Sequence, residues 1–148
     1  MQVKDIMTSN PACTTPDTTL EEVARMMIEN DCGEIPIVEN MANFLPIGVI
    51  TDRDIVCRTI GKGLNPLAMT AGECMTTPPI TVMPDDSLEK CLQAMEDEQI
   101  RRVPVVDASG MCVGIVALAD VARNVAKKDS AEVLQEVSEP SLSASDVG

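Results

Sequence analysis

Residues 5–27, DIMTSNPACTTPDTTLEEVARMM, and residues 73–95, ECMTTPPITVMPDDSLEKCLQAM, are two spellings of one segment at a constant offset of 68. Met7-Thr8 meets Met75-Thr76, Pro16-Asp17 meets Pro84-Asp85, Leu20-Glu21 meets Leu88-Glu89, and Met27 meets Met95. The register continues through EIPIVE (34–39) against RVPVVD (102–107). It then slips to 66, because NMANFLPI (40–47) is two residues longer than ASGMCV (108–113). Beyond the slip, GVITDRDI (48–55) meets GIVALADV (114–121). Such self-similarity marks a repeated folding unit that buries its apolar face against its neighbour. The chain divides into a first repeat at 3–60, a linker at 61–70 with the Gly and Pro of a loop, and a second repeat at 71–126. Residues 127–148 remain, expected to hold a short helix opening at Asp129-x-x-Glu132 and then a disordered tail.

Each repeat carries the same local grammar. Thr18-x-x-Glu21 and Asp86-x-x-Glu89 read as capping boxes that open a helix. Apolar residues recur at helical spacing behind them: Leu20, Val23, Ala24, Met27 and Ile28 in one copy, Leu88, Cys91, Leu92 and Met95 in the other. IPIV and VPVV then read as short buried strands, and IGVIT and VGIVA as their partners across a turn. A second helix follows, over about 52–60 or 118–127. With PACTT and PITVM counted as extended pieces, the order is β-α-β-β-α, twice. Two or three strands with helices on one side leave apolar surface open, so the halves should pack together with pseudo-twofold symmetry. The fold class expected is α+β.

Composition narrows the chemistry. With 24 Asp and Glu against 11 Lys and Arg, the net charge of −13 argues against binding a nucleic acid polymer or an anionic membrane. No apolar run reaches membrane-spanning length and the start lacks a secretory signal, which points to a cytoplasmic protein. The absence of histidine removes the usual triads, most catalytic zinc sites and the commonest general base, so the chain does not read as an enzyme. The six cysteines include no C-x-x-C pair and match no zinc framework. Through the duplication, Cys74, Cys91 and Cys32 stand opposite Ile6, Val23 and Ile100 and read as small hydrophobes.

Doubled, in order and in register, these features make the chain resemble a tandem pair of CBS domains, the regulatory unit called a Bateman module. The resemblance covers about Val3 to Ala126. It rests on the DIMT and ECMT openings, the Pro-Asp-x-[Thr/Ser]-Leu-Glu helix starts, the IPIV and VPVV strands and the two glycine-led segments ending in Asp54 and Asp120. Its compactness, TDRDIV and RRVPVV are most similar to small stand-alone bacterial pairs, including the mycobacterial hypoxic response type. The resemblance implies two clefts between the repeats, either able to hold an adenine nucleotide such as AMP, ADP, ATP or NAD.

On the same resemblance, the first cleft would be built by Val49, Thr51, Arg53 and Asp54, by Pro79 and Ile80 around the adenine, and by Arg101 and Arg102 on the phosphates. Asp54 would hold the ribose hydroxyls. The second cleft would have Ala117, Asp120, Gly33 and Glu34 instead, with an acid where phosphates would lie, and is expected to be empty or weak. Thr51 and Asp54 also fit a plain helix cap, and the arginines a solvated pair; that reading stands beside the first. The function implied is a non-enzymatic, homodimeric sensor acting on an unknown protein partner. The alternatives are a ligand-free scaffold, or a redox sensor using Cys13, Cys32 or Cys57.

Overall fold

The computed structural model describes residues 1–135, with side chains through Lys127. Both repeats fold alike. Helix α1 (Leu20–Asn30) leads into the hairpin β2 (Glu34–Val38) and β3 (Pro46–Thr51), then α2 (Asp52–Arg58). Helix α4 (Leu88–Glu98) leads into β4 (Arg102–Val106) and β5 (Cys112–Ala117), then α5 (Leu118–Gln135). The extended pieces appear as isolated parallel bridges, Thr14 to Ile37 and Val82 to Val105. Each hairpin is antiparallel, with Pro36 opposite Val49 and Pro104 opposite Ile115. Both carry a register shift at the same point, after Ile37 and after Val105.

The two halves exchange their openings. Strand β1 (Thr8–Ser9) belongs to the first repeat in sequence but pairs with β5 of the second, Thr8 opposite Ile115. Its equivalent, Thr76 after the short helix α3 (Ala71–Cys74), pairs with Val49 of the first. The cores follow this crossing. Val3 and Ile6 pack with Leu88, Cys91, Met95, Val103 and Val116. Ala71 and Cys74 pack with Leu20, Val23, Met27, Ile35 and Ile50. Each large aliphatic so buried is worth roughly 1.5–3 kcal/mol. Neither half closes its core without a piece of the other.

Four details depart from the sequence reading. The caps of α1 and α4 are Thr19 and Ser87, one residue later than expected, each accepting from the amide three residues on, Glu22 and Lys90. Thr18 and Asp86 are used otherwise: the Thr18 carbonyl accepts from Ala71 N, and the Asp86 carboxylate accepts from Met83 N and Lys90 Nζ. Ile28, expected on the buried face, is 81% exposed. The separate short helix expected at Asp129 is instead the continuation of α5 to Gln135, since no glycine or proline interrupts 118–135. The expected tail lies outside the described residues.

Candidate functional site

At the end of β3 the chain turns from strand to helix, and Thr51 caps α2. Its hydroxyl accepts from Asp54 N at 3.0 Å, and the Asp54 carboxylate accepts from Thr51 N at 3.1 Å. This reciprocal box satisfies two helix-start amides and fixes both side chains. The carboxylate also accepts from Thr76 Oγ1 at 3.3 Å and lies 3.7 Å from Arg58 Nε. Arg58 in turn donates to Met75 O at 2.9 Å and to Thr76 Oγ1 at 3.2 Å. The α2 cap is thereby tied to the opening segment of the second repeat, which continues into Pro79 and Ile80, both half-buried. Val49 joins the same seam through Val49 N to Thr76 O, 3.0 Å, and the return bond, 2.8 Å. Gly48 makes the seam possible, because a Cβ there would lie 2.9 Å from Thr76 O.

Arg102 reaches this region from the second repeat. A Cβ placed on Gly33 would lie 3.0 Å from Asp52 Oδ2 and 3.4 Å from Arg102 Nη1, so the guanidinium lies beside the start of β2 and the first turn of α2. Five ion pairs form among the described residues, and none uses Arg53, Arg101 or Arg102. Their placement differs, however. Arg102 is half-buried and faces the first repeat, while Arg53 projects from the exposed first turn of α2. Arg101 is exposed and lines the open groove between α4 and α5 with Leu92, Met95, Gln99 and Leu118. Of the residues expected on the first cleft, the structure gathers Val49, Thr51 and Asp54 along one seam and brings Arg102 to its edge.

Three contributors were not foreseen. Thr76 and Arg58 are two; Thr76 was visible as the partner of Thr8 in the repeat, but only the crossing of the openings places it on Asp54. The third is Glu34, expected in the second cleft. It is 5% exposed, and its Oε2 is buried with no hydrogen-bond partner among the described residues. The charges that act on it are Arg102 and Asp54, so it lies among the groups of the first cleft. Burial raises its carboxyl to about 8, outweighing the favourable Arg102 charge, with Asp54 adding to the rise. At neutral pH it is therefore mostly protonated and repels an anion little.

The second crevice is built differently. Asp120 pairs with Arg123 of its own helix. Ala117 stands where Thr51 caps, although the backbone is shared: Leu118 N donates to Arg101 O at 2.7 Å as Asp52 N does to Gly33 O at 3.0 Å. Among the described residues no group of three His, Cys, Asp or Glu side chains could hold a metal, and no helix is long and apolar enough to cross a membrane.

Comparison with known proteins identifies the family and the fold. The model of the CBS domain matches residues 3–58 and again 71–127. Hypoxic response protein 1 of Mycobacterium tuberculosis is 34% identical over 142 residues, 96% of this chain and 97% of that protein. Its crystal structure with two coordinated zinc ions has a TM-score of 0.74 at 37% identity, over 83% of this chain and 98% of that one. The CBS domain pair of protein MJ0100, in complex with 5′-methylthioadenosine and S-adenosyl-L-methionine, gives a TM-score of 0.77 at 28% identity, over 86% and 98%. CBSX2 of Arabidopsis thaliana in complex with AMP gives 0.73 at 26%, over 86% and 98%.

Proposed function

Since this chain belongs to the CBS-domain family and carries the domain twice, we propose that it is a non-enzymatic regulatory module that senses an adenine nucleotide, AMP, ADP, ATP or an NAD-like ligand, in the crevice beside Asp54. Relatives of the same fold hold AMP or an adenosyl compound, which supports the class of ligand. The observation that carries the reading is Arg102. It is half-buried, free of any ion pair among the described residues, and set against Gly33 and Asp52 of the first repeat, at the start of the helix that Thr51 caps. A phosphate there would gain a charge-assisted, bidentate partner. In this reading Asp54 exchanges its Thr76 contact for the ribose hydroxyls, Val49, Pro79 and Ile80 flank the adenine, and Arg53 adds positive charge at the rim, while Arg101 stays on the groove between α4 and α5. Bound nucleotide then bridges both repeats and shifts how the module meets a protein partner. The cations favour a phosphorylated ligand over S-adenosylmethionine.

Exposed apolar side chains on the first repeat, Ile28 at 81%, Val56 at 54% and Ile60 at 62%, supply the surface for a homodimer in the cytoplasm.

Thermal unfolding against AMP, ADP, ATP, NAD and S-adenosylmethionine tests the reading. A ligand at 100 times its Kd adds about 2.7 kcal/mol, which raises Tm by roughly 5–10 °C for a chain of this size. Arg102→Ala should cut that rise at least in half while the unliganded Tm stays put. Flat curves across the panel would favour the ligand-free scaffold instead.

A further inference from the structure

A third, small cluster lies apart from the two main cores: Cys13, Val38 and Cys112, with Phe44 packed against them. The two cysteines are 8% and 7% exposed and come from different repeats. Both are held by main-chain bonds on either side. On the Cys13 side, Thr14 N donates to Pro36 O at 3.2 Å and Val38 N to Thr14 O at 2.8 Å, fixing the run to β2. On the other, Cys112 N donates to Phe44 O at 2.9 Å, and Asn10 N reaches Val113 O at 3.4 Å, drawing the first repeat's run onto β5. The two thiols share this one buried cluster, and each also donates to a main-chain carbonyl, Cys13 Sγ to Pro11 O at 3.5 Å and Cys112 Sγ to Gly114 O at 3.6 Å. The neighbouring Cys112 thiol, ahead of burial, raises the Cys13 thiol, and the Cys13 thiol lowers that of Cys112, so Cys112 is the first of the two to ionise.

The duplication isolates the pair. Thr81 and Pro46 stand at the equivalent positions, so the symmetric place on the other side of the molecule has no thiols. Cys74 and Cys91 are buried in the two main cores, and Cys57 is exposed on α2. A buried Cys pair contributed by both repeats, with no cluster for a metal among the described residues, is placed for thiol–disulfide chemistry.

We propose that Cys13 and Cys112 form a reversible disulfide in response to hydrogen peroxide, locking the first repeat's opening run to β5 of the second. Peroxide is the class of oxidant suited to a nearly closed site, being small and uncharged. The Cys112 sulfur attacks one peroxide oxygen; the O–O bond breaks, Cys112 becomes a sulfenic acid, and the departing hydroxide takes a proton to leave as water. The Cys13 sulfur then attacks the sulfenic sulfur; the S–S bond forms, the S–OH bond breaks, and the hydroxyl leaves with the Cys13 proton as a second water. Two thiols lose two electrons and one peroxide becomes two waters. A dithiol reductant reverses the step by exchange. The lock is independent of the nucleotide reading, because it lies at the opposite end of β5 from Ala117 and uses none of the residues of the Asp54 crevice.

Peptide mapping of the full chain under non-reducing conditions, before and after stoichiometric hydrogen peroxide, tests it. The expected result is a Cys13–Cys112 linked peptide within one chain, loss of two free thiols, and the same outcome in Cys57→Ser. In Cys13→Ser, dimedone should trap a sulfenic acid on Cys112, and neither Cys13→Ser nor Cys112→Ser should give the linked peptide. Should either serine variant fail to fold, the map of the native chain decides alone. Oxidation confined to Cys57, a Cys13 linkage to another chain, or both thiols unchanged would overturn the proposal.

Discussion

Two aspartates occupy equivalent places, and their surroundings differ. Asp54 closes the cap of α2, accepts from Thr76 of the other repeat, and sits beside an Arg58 that also grips Met75. Asp120 pairs along its own helix with the exposed Arg123, with no threonine cap before it. The duplication kept the backbone frame in both copies and the inter-repeat polar network in one. Glu34 and Arg102 make the same point at the start of the equivalent strands β2 and β4, with opposite charges gathered near a single crevice. The lesson is that symmetry here belongs to packing, while chemistry is one-sided.

Glu34 offers the largest test of that asymmetry. Its carboxyl is raised to about 8 in the folded chain from an ordinary 4.5. The folded state thus holds a proton that the unfolded chain releases, so this contribution is complete below about pH 4.5 and is lost as pH climbs through 8. Charging the buried group costs about 3–5 kcal/mol. Glu34→Gln should flatten the decline in stability between pH 5 and 9 in urea titrations, and Arg102→Gln should not. A wild-type profile already flat over that range would break the comparison.

Next in size is a pair of substitutions expected to be equal. A Cβ on Gly48 meets Met75 Sδ and Thr76 O, both at 2.9 Å; on Gly114 it meets Met7 Sδ at 2.7 Å and Thr8 O at 3.0 Å. Gly48→Ala and Gly114→Ala should each cost about 1–3 kcal/mol in chemical denaturation, within error of each other. A large difference would show that the packing itself is lopsided. The smallest effect concerns the aspartates. Asp54→Asn should cost about 1 kcal/mol by weakening a half-buried network, and Asp120→Asn almost nothing, since its partner is a surface ion pair on one helix.

Much of the architecture was readable from the repeat: the helices and hairpins follow from a pattern written twice, whereas the matching irregularity after Ile37 and Val105 emerged only in the structure. The caps slipped by one because Thr18-x-x-Glu21 and Thr19-x-x-Glu22 both fit a capping signature, and only the tertiary bond from Ala71 N to the Thr18 carbonyl chooses between them. The exchange of openings was not readable, as periodicity says which face is apolar and not which half covers it. Thr76 was missed for that reason. Glu34 was assigned to the other crevice because sequence offset is silent on where a side chain lies near a pseudo-twofold axis. Cys112 escaped notice because its repeat partner is a proline, and its true neighbour, Cys13, is distant in sequence and lies across the junction.

The most direct test of the one-sided crevice is calorimetric titration of AMP into the reduced protein at neutral pH, in wild type and in Arg102→Glu. The account predicts one site per chain in wild type and none in the variant at the same concentrations, with the fold of both intact by circular dichroism. Two equal sites per chain, or one site unaffected by Arg102→Glu, would contradict it.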